Sequence, residues 1–312
     1  MSKYVFGVDL GGTTVKLGLF DVEGTVLDKW EIPTRKEDSG KHILPDIAEA
    51  ILAKMSEKSI EKSQVQGVGI GVPGPVDDKG VIIKAVNLGW DTMNINEELG
   101  KLLGLPVQAG NDANVAALGE MWKGGGQGYE NLVLVTLGTG VGGGIIINGK
   151  ILTGSTGAGG EIGHMHLVDG EEEACGCGKH GCLEQYTSAT GIVRLANRAL
   201  AKNTRPTVLK QGEVTAKDVF DAVKTGDAVA IEIAEQFGYY LGKGLANIAA
   251  VTNPQAFVIG GGVSKAGTVL FDYINKYFQQ YVFLGCKNVD FKLATLGNDA
   301  GIYGAAKLVI AM

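Results

Sequence analysis

The stretch from His164 to Glu184, HMHLVDGEEEACGCGKHGCLE, holds three of the chain's four cysteines and three of its four histidines. Cys175, Cys177 and Cys182 follow C-x-C-x4-C. Three thiolates and one imidazole make a closed tetrahedral set of the structural zinc type. A disulfide is the weaker reading, because Cys175 and Cys177 are poorly placed to pair and three cysteines leave one over. On spacing alone His164, His166 and His180 all stay open as the fourth ligand. Cys286, far off in FLGCK, reads as a free buried thiol.

Three glycine turns suggest a second chemistry. DLGGTT, LGTGVGG and IGGGVS each follow an apolar, strand-like run. Glycine there lets backbone amides face an anion with no Cβ in the way, as in a phosphate cradle. No GxxxxGK[ST] loop occurs, and LGTGVGG sits in a hairpin, not at the strand-to-helix turn of a dinucleotide fingerprint. Taken singly, each is an ordinary tight turn; three of them with an internal repeat point to nucleotide binding. Asp9 ends the first strand just before Gly11 and Gly12, where a carboxylate suits Mg²⁺ held through water beside phosphates. The alternative is a turn-forming Asp that caps local amides. Asp112, in GNDANVAALGE, reads by itself as a helix cap.

The elements that must position these residues come from patterning. YVFGVDLGGTTVKLGLFDVEG, from Tyr4, and NLVLVTLGTGVGGGIIINGK, from Asn131, are one β-hairpin pattern written twice. The repeat implies a duplicated α/β unit and two related domains. Helical spacing covers 42–58, the run after Asp112, 227–251 and 299–310, while 65–72 and the segment from Leu105 read as strands. The long stripe through Phe237, Leu241 and Leu245 reads as core.

The 312 residues are 45% apolar and 20% charged, with net charge −6 and a pI near 5.4. An acidic surface argues against a general nucleic-acid or anionic-membrane binder. No apolar run approaches the ~20 residues of a membrane span, and no signal-peptide pattern opens the chain, so a cytoplasmic protein is expected. In that reducing compartment clustered cysteines are metal ligands or redox groups more often than disulfides.

Together VDLGGTTVKLGLF, GVPGPVD, NLGW, GNDANVAALGE, TLGTGVGGGIIING, GAGGEIGH and CGCGKHGCLEQYTS resemble the ROK family of sugar kinases and repressors. The likeness spans essentially the whole chain and is nearest to the family's bacterial glucokinases. It implies an α/β, two-domain actin-like/hexokinase-type (ribonuclease H-like) fold, with duplicated mixed-sheet units around a cleft. The expected domains are 1–111 plus 298–312 and 112–297, the larger carrying the zinc site.

The resemblance makes Asp112 the general base that takes the proton of a sugar hydroxyl during phosphoryl transfer. It makes Asn111, Glu161, His164 and Glu184 sugar contacts, with Gly74 and Asn87 in segments closing the sugar site. Gly11, Gly12, Thr13, Gly138, Thr139 and Gly140 would face the phosphates of ATP, and Gly261, Gly262 and Ser264 the adenosine, with Asp9 near Mg²⁺. Among the open histidines it selects His164 as the ligand completing a structural Zn²⁺ site with Cys175, Cys177 and Cys182. The expected reaction is transfer of the ATP γ-phosphoryl group to the 6-hydroxyl of glucose. Fructose, mannose, allose and N-acetylmannosamine are alternative acceptors, and polyphosphate is an alternative donor. Family kinases are homodimers or homotetramers. Repressors of the family carry a helix-turn-helix ahead of the first hairpin, and the strand starting near Tyr4 is expected to leave no room for one. An actin-like structural protein is the other rival, and the sugar-type cluster speaks against it.

Overall fold

The hairpin expected at the start forms from β1 (Tyr4–Leu10) and β2 (Thr14–Asp21), antiparallel from Tyr4↔Asp21 to Leu10↔Val15. It belongs to a computed structural model that describes residues 3–310. β3 (Val26–Pro33) extends the sheet antiparallel to β2. After α1 (Ile43–Glu57), β4 (Val65–Val72) joins parallel to β1. Two short strands, β5 (Val81–Ile82) and β6 (Met93–Asn94), pair with each other. Next come α2 (Ile95–Leu103), β7 (Val107–Asn111), parallel to β4, and α3 (Asp112–Lys123). The sheet order is β3-β2-β1-β4-β7.

Period-2 alternation assigns the two faces of β1. Phe6, Val8 and Leu10 join a core with Ile47 and Ile51 of α1 and Leu99 and Leu103 of α2. Val5 points the other way, into a cluster with Ile302 and Ala306 of the helix Ala300–Ile310. Strand glycines permit that approach: a Cβ at Gly7 would collide with the Ile302 carbonyl, and one at Gly69 with that of Ala305.

A second sheet begins with β8 (Leu132–Leu137), β9 (Val141–Ile147) and β10 (Lys150–Ile151). Helices α4 (Glu184–Thr187), α5 (Ala189–Leu200), α6 (Ala216–Lys224) and α7 (Ala228–Thr252) follow. Then come β11 (Ala256–Gly260), α8 (Val269–Tyr281), β12 (Asp290–Leu293) and α9 (Ala300–Ile310). β11 runs parallel to both β8 and β12, in the order β10-β9-β8-β11-β12. Phe237, Leu241 and Leu245 of α7 are fully buried, as the apolar stripe requires.

Two compact units result. One comprises residues up to Glu130, Gly144–Gly160 and the chain from Leu296; the other comprises Asn131–Gly143 and Glu161–Thr295. The boundary drawn from sequence at residue 112 falls elsewhere, for a packing reason. α3 lies tightly on α9: a Cβ at Gly304 would meet the Val115 carbonyl, and one at Gly119 the Ala300 carbonyl. α3 therefore stays with the first unit. Among the described residues, no helix is long and apolar enough to cross a membrane.

Candidate active site

In the first unit, β7 runs straight into α3, and the junction carries Asn111 and Asp112. Asn111 is the helix cap: its Oδ1 accepts the Asn114 N–H at 3.1 Å. Its Nδ2 donates to the Gly74 carbonyl and to Asp112 Oδ1, both at 3.1 Å. Asn111 is buried and Asp112 is exposed. Asn111 thus fills the N-cap role, while the Asp112 carboxylate, on the first helical residue, accepts the Ala113 N–H at 2.8 Å. Gly74, at φ 112°, sits in the turn after β4, in a conformation that favours glycine. Asn87 lies exposed in a short turn.

The first glycine turn is closed from outside the hairpin. Thr34 Oγ1 donates to the Gly11 carbonyl at 2.7 Å, and Thr34 N–H to the Thr13 carbonyl at 2.9 Å. Gly12 has open space where a Cβ would be. Asp9 is opposite Lys16 in the register. Burial raises its pKa above the ordinary carboxylate value, and the Lys16 charge opposes that rise.

In the second unit, His164, Cys175, Cys177 and Cys182 present ligand atoms all within 4.8 Å of one another. Cys175 Sγ is 3.6 Å from His164 Nδ1, and Cys177 Sγ is 3.7 Å from Cys182 Sγ. Two backbone bonds shape the loop: Cys175 N–H donates to the Lys179 carbonyl at 2.7 Å and Gly178 N–H to the Cys175 carbonyl at 2.8 Å. His166 is engaged elsewhere, with Nδ1 against the His180 carbonyl at 2.9 Å and Nε2 against Asp169 Oδ1 at 3.0 Å. Burial pushes the Cys175 and Cys182 thiols up, whereas the Lys179 backbone N–H draws that of Cys177 down.

The loop is tied down ahead of its cysteines. Glu171 accepts hydrogen bonds from Arg194, Arg198 and Tyr186, and the Arg194 guanidinium lies over the Tyr186 ring. Burial opposes ionisation of Glu171, but Arg198, Tyr186 and the Glu173 N–H outweigh it and bring its pKa down to about 2.

Glu184, first residue of α4, touches several candidates at once. Oε1 is 2.9 Å from Cys175 Sγ and 3.7 Å from His164 Nδ1, while Oε2 accepts the Val141 N–H at 3.3 Å. His164, Cys175, Glu184 and the Gly138–Gly140 turn are therefore brought together. Glu161 is exposed at the start of the short turn Ile162–His164. At the third glycine turn, Gly261 has φ 81°, and Ser264 Oγ donates to its carbonyl at 2.7 Å. A cavity of about 320 Å³ beside this turn is lined by Ala216, Phe220, Gly262, Val263 and Ala266, with Lys217 and Asp221 also on its wall. That wall is the part the sequence reading missed. The Thr215–Asp218 capping box was its available signal, since it starts the helix bearing Phe220.

The ROK family profile matches residues 5–312. A glucokinase of Halalkalibacterium halodurans is 46% identical over 98% of this chain and 95% of its own. A ROK glucokinase of Streptomyces griseus, solved with glucose and AMPPNP, superposes with TM-score 0.74 and 35% identity, covering 98% of each chain. A ROK hexokinase of Thermus thermophilus superposes with TM-score 0.80 and 35% identity, covering 97% of this chain and 96% of that one.

Proposed function

The chain belongs to the ROK family and is an ATP-dependent kinase of glucose, and we propose that Asp112 is the general base that takes the proton of the 6-hydroxyl as its oxygen attacks the γ-phosphoryl group. The observation carrying the assignment is the division of labour at the head of α3. Asn111 takes the N-cap position, and the Asp112 carboxylate lies exposed at the first helical residue, a place from which it can accept a hydroxyl proton. A carboxylate in hydrogen-bond reach of a sugar hydroxyl removes its proton as the phosphoryl group transfers.

Asn111, Glu161, His164 and Glu184 bind the sugar hydroxyls, with Gly74 and Asn87 closing the site. Each hydroxyl needs a partner once desolvated, and carboxylates, an amide and an imidazole supply both donors and acceptors. The amides of Gly11, Gly12 and Thr13 and of Gly138, Thr139 and Gly140 receive the phosphates. The apolar cavity beside Gly261, Gly262 and Ser264 suits a nucleobase. Asp9 would hold Mg²⁺ near the phosphates, and the ion's charge would offset the burial that raises this carboxyl's pKa.

The thiol knot fits Zn²⁺. Tetrahedral bonds of ~2.3 Å to sulfur and ~2.0 Å to nitrogen give edges of about 3.5–3.8 Å, and the two ligand separations above are 3.6 and 3.7 Å. His164 Nδ1, Cys175, Cys177 and Cys182 fill all four positions, so the metal would supply architecture alone. Nε2 of His164 remains for a sugar hydroxyl.

Activity across a hexose panel with ATP tests this reading. Glucose should give the highest kcat/KM; fructose or N-acetylmannosamine far above glucose overturns the acceptor, and no turnover with any hexose overturns the reaction.

A further inference from the structure

The segment Glu184–Ala189 bonds to both the thiol knot and the Gly138–Gly140 turn. Glu184 Oε2 accepts the N–H of Val141, the residue after the turn, at 3.3 Å. The Cys175 thiol donates to Oε1 at 2.9 Å only while it keeps its proton, so with thiolates on a metal the link to the knot is the Cys182 N–H, which donates to Gln185 Oε1 at 3.0 Å. At the other end of the segment, Ala189 N–H donates to the Gly138 carbonyl at 2.8 Å. The turn is therefore held on both sides by residues that follow Cys182 directly in the chain.

This elbow is internally braced. Ser188, 2% exposed, donates through Oγ to the Glu184 carbonyl at 2.7 Å and accepts the Gly191 N–H at 2.9 Å, capping α5. Gln185 Oε1 accepts the Cys182 N–H at 3.0 Å, fixing the elbow to the cysteine. A Cβ at Gly140 would fall 2.6 Å from Glu184 Oε2, so glycine there lets the carboxylate reach the turn.

We propose that Glu184 and Ser188 are positioning residues through which the metal knot sets the phosphate turn, making Zn²⁺ and nucleotide bind cooperatively even without sugar. The inference rests on the reading that the knot holds zinc and the turn holds ATP phosphates. Binding linkage is reciprocal: if an ordered knot preorganises the turn, nucleotide must tighten zinc by the same factor.

The test measures zinc affinity by chelator competition, with and without AMPPNP at fixed free Mg²⁺ and with no sugar present. A sugar contact made by Glu184 then does not enter. In the wild type AMPPNP should tighten zinc about fivefold or more, the low end of ordinary coupling. Glu184→Ala should bring the factor near one, and Glu184→Gln, which keeps an oxygen for the Val141 N–H, should restore part of it. Ser188→Ala should show the same loss and decides the matter if Glu184→Ala does not fold. Equal tightening in wild type and these variants, or none in a wild type that binds both ligands, overturns the coupling alone. A wild type that takes up no zinc, or binds no AMPPNP, overturns the underlying reading along with it.

Discussion

Asp112→Asn separates chemistry from architecture because the two roles at the head of α3 fall on different residues. Asn111 keeps its bonds to Asn114 and Gly74 in the variant. An asparagine oxygen can still accept the Ala113 N–H, which Asp112 Oδ1 accepts at 2.8 Å. What disappears is one negative charge in the first turn of a helix, worth about 0.3–1 kcal/mol. That lowers Tm by roughly 1–4 °C. Loss of a general base costs about 10²–10⁴ in rate, or about 3–5 kcal/mol of barrier. Steady-state kinetics on glucose, read by a coupled assay for the sugar 6-phosphate, should show kcat falling by that factor while KM moves only a few-fold. A variant with intact melting and kcat within about threefold of wild type refutes the assignment. So does a raised KM with unchanged kcat, which would make Asp112 a uniform binding contact.

Two stability experiments probe the supports of each unit. Glu171 has a folded pKa of about 2 against an ordinary 4.5, so its contribution is complete above pH 4.5 and disappears as pH falls through 2. Glu171→Gln should therefore lower the unfolding free energy by on the order of 3 kcal/mol at pH 7, and the gap to wild type should close between pH 4.5 and 2. An equal gap at pH 7 and pH 3 in denaturant titrations contradicts the argument. Gly304→Ala would push a methyl into the Val115 carbonyl at the α3–α9 contact. It should destabilise by about 1–3 kcal/mol as an overpacked site; a melt unchanged from wild type would mean the helices separate freely.

Periodicity and turn chemistry made much of the fold legible. Strand 65–72 was readable to the residue because Val65, Ile70 and Val72 are apolar and VPGP ends the run. The stripe through Phe237 and Leu245 is core, as helical spacing demands. The cysteine cluster was legible because thiols are rare and close in sequence, although spacing left three histidines open; the structure brings His164 within 4.8 Å of the three thiols, while Asp169 and the His180 carbonyl hold His166. The split at the head of α3 was not readable. Asn and Asp are both good caps, and only geometry shows Asn111 accepting the Asn114 N–H. The unit boundary was equally hidden, because Gly119 and Gly304 read as weak points in helices, not as the contact binding α3 to α9.

The two copies of the hairpin explain why one chain needs such different supports. A glycine turn that offers its amides to phosphate has no side chains of its own to fix it, so something outside the hairpin must. In the first copy a neighbouring strand end suffices: Thr34 holds Gly11 and Thr13 through two short bonds. In the second copy the corresponding bonds come from Glu184 and Ala189, on a segment with little regular structure before it. Loop backbone of that kind must be ordered from elsewhere at about 1–2 kcal/mol per residue. The Cys₃His cluster and the Glu171–Arg198 clamp could supply it. A Cys₃His cluster that closed around a metal would fix such a turn from outside the hairpin without the metal touching the substrate.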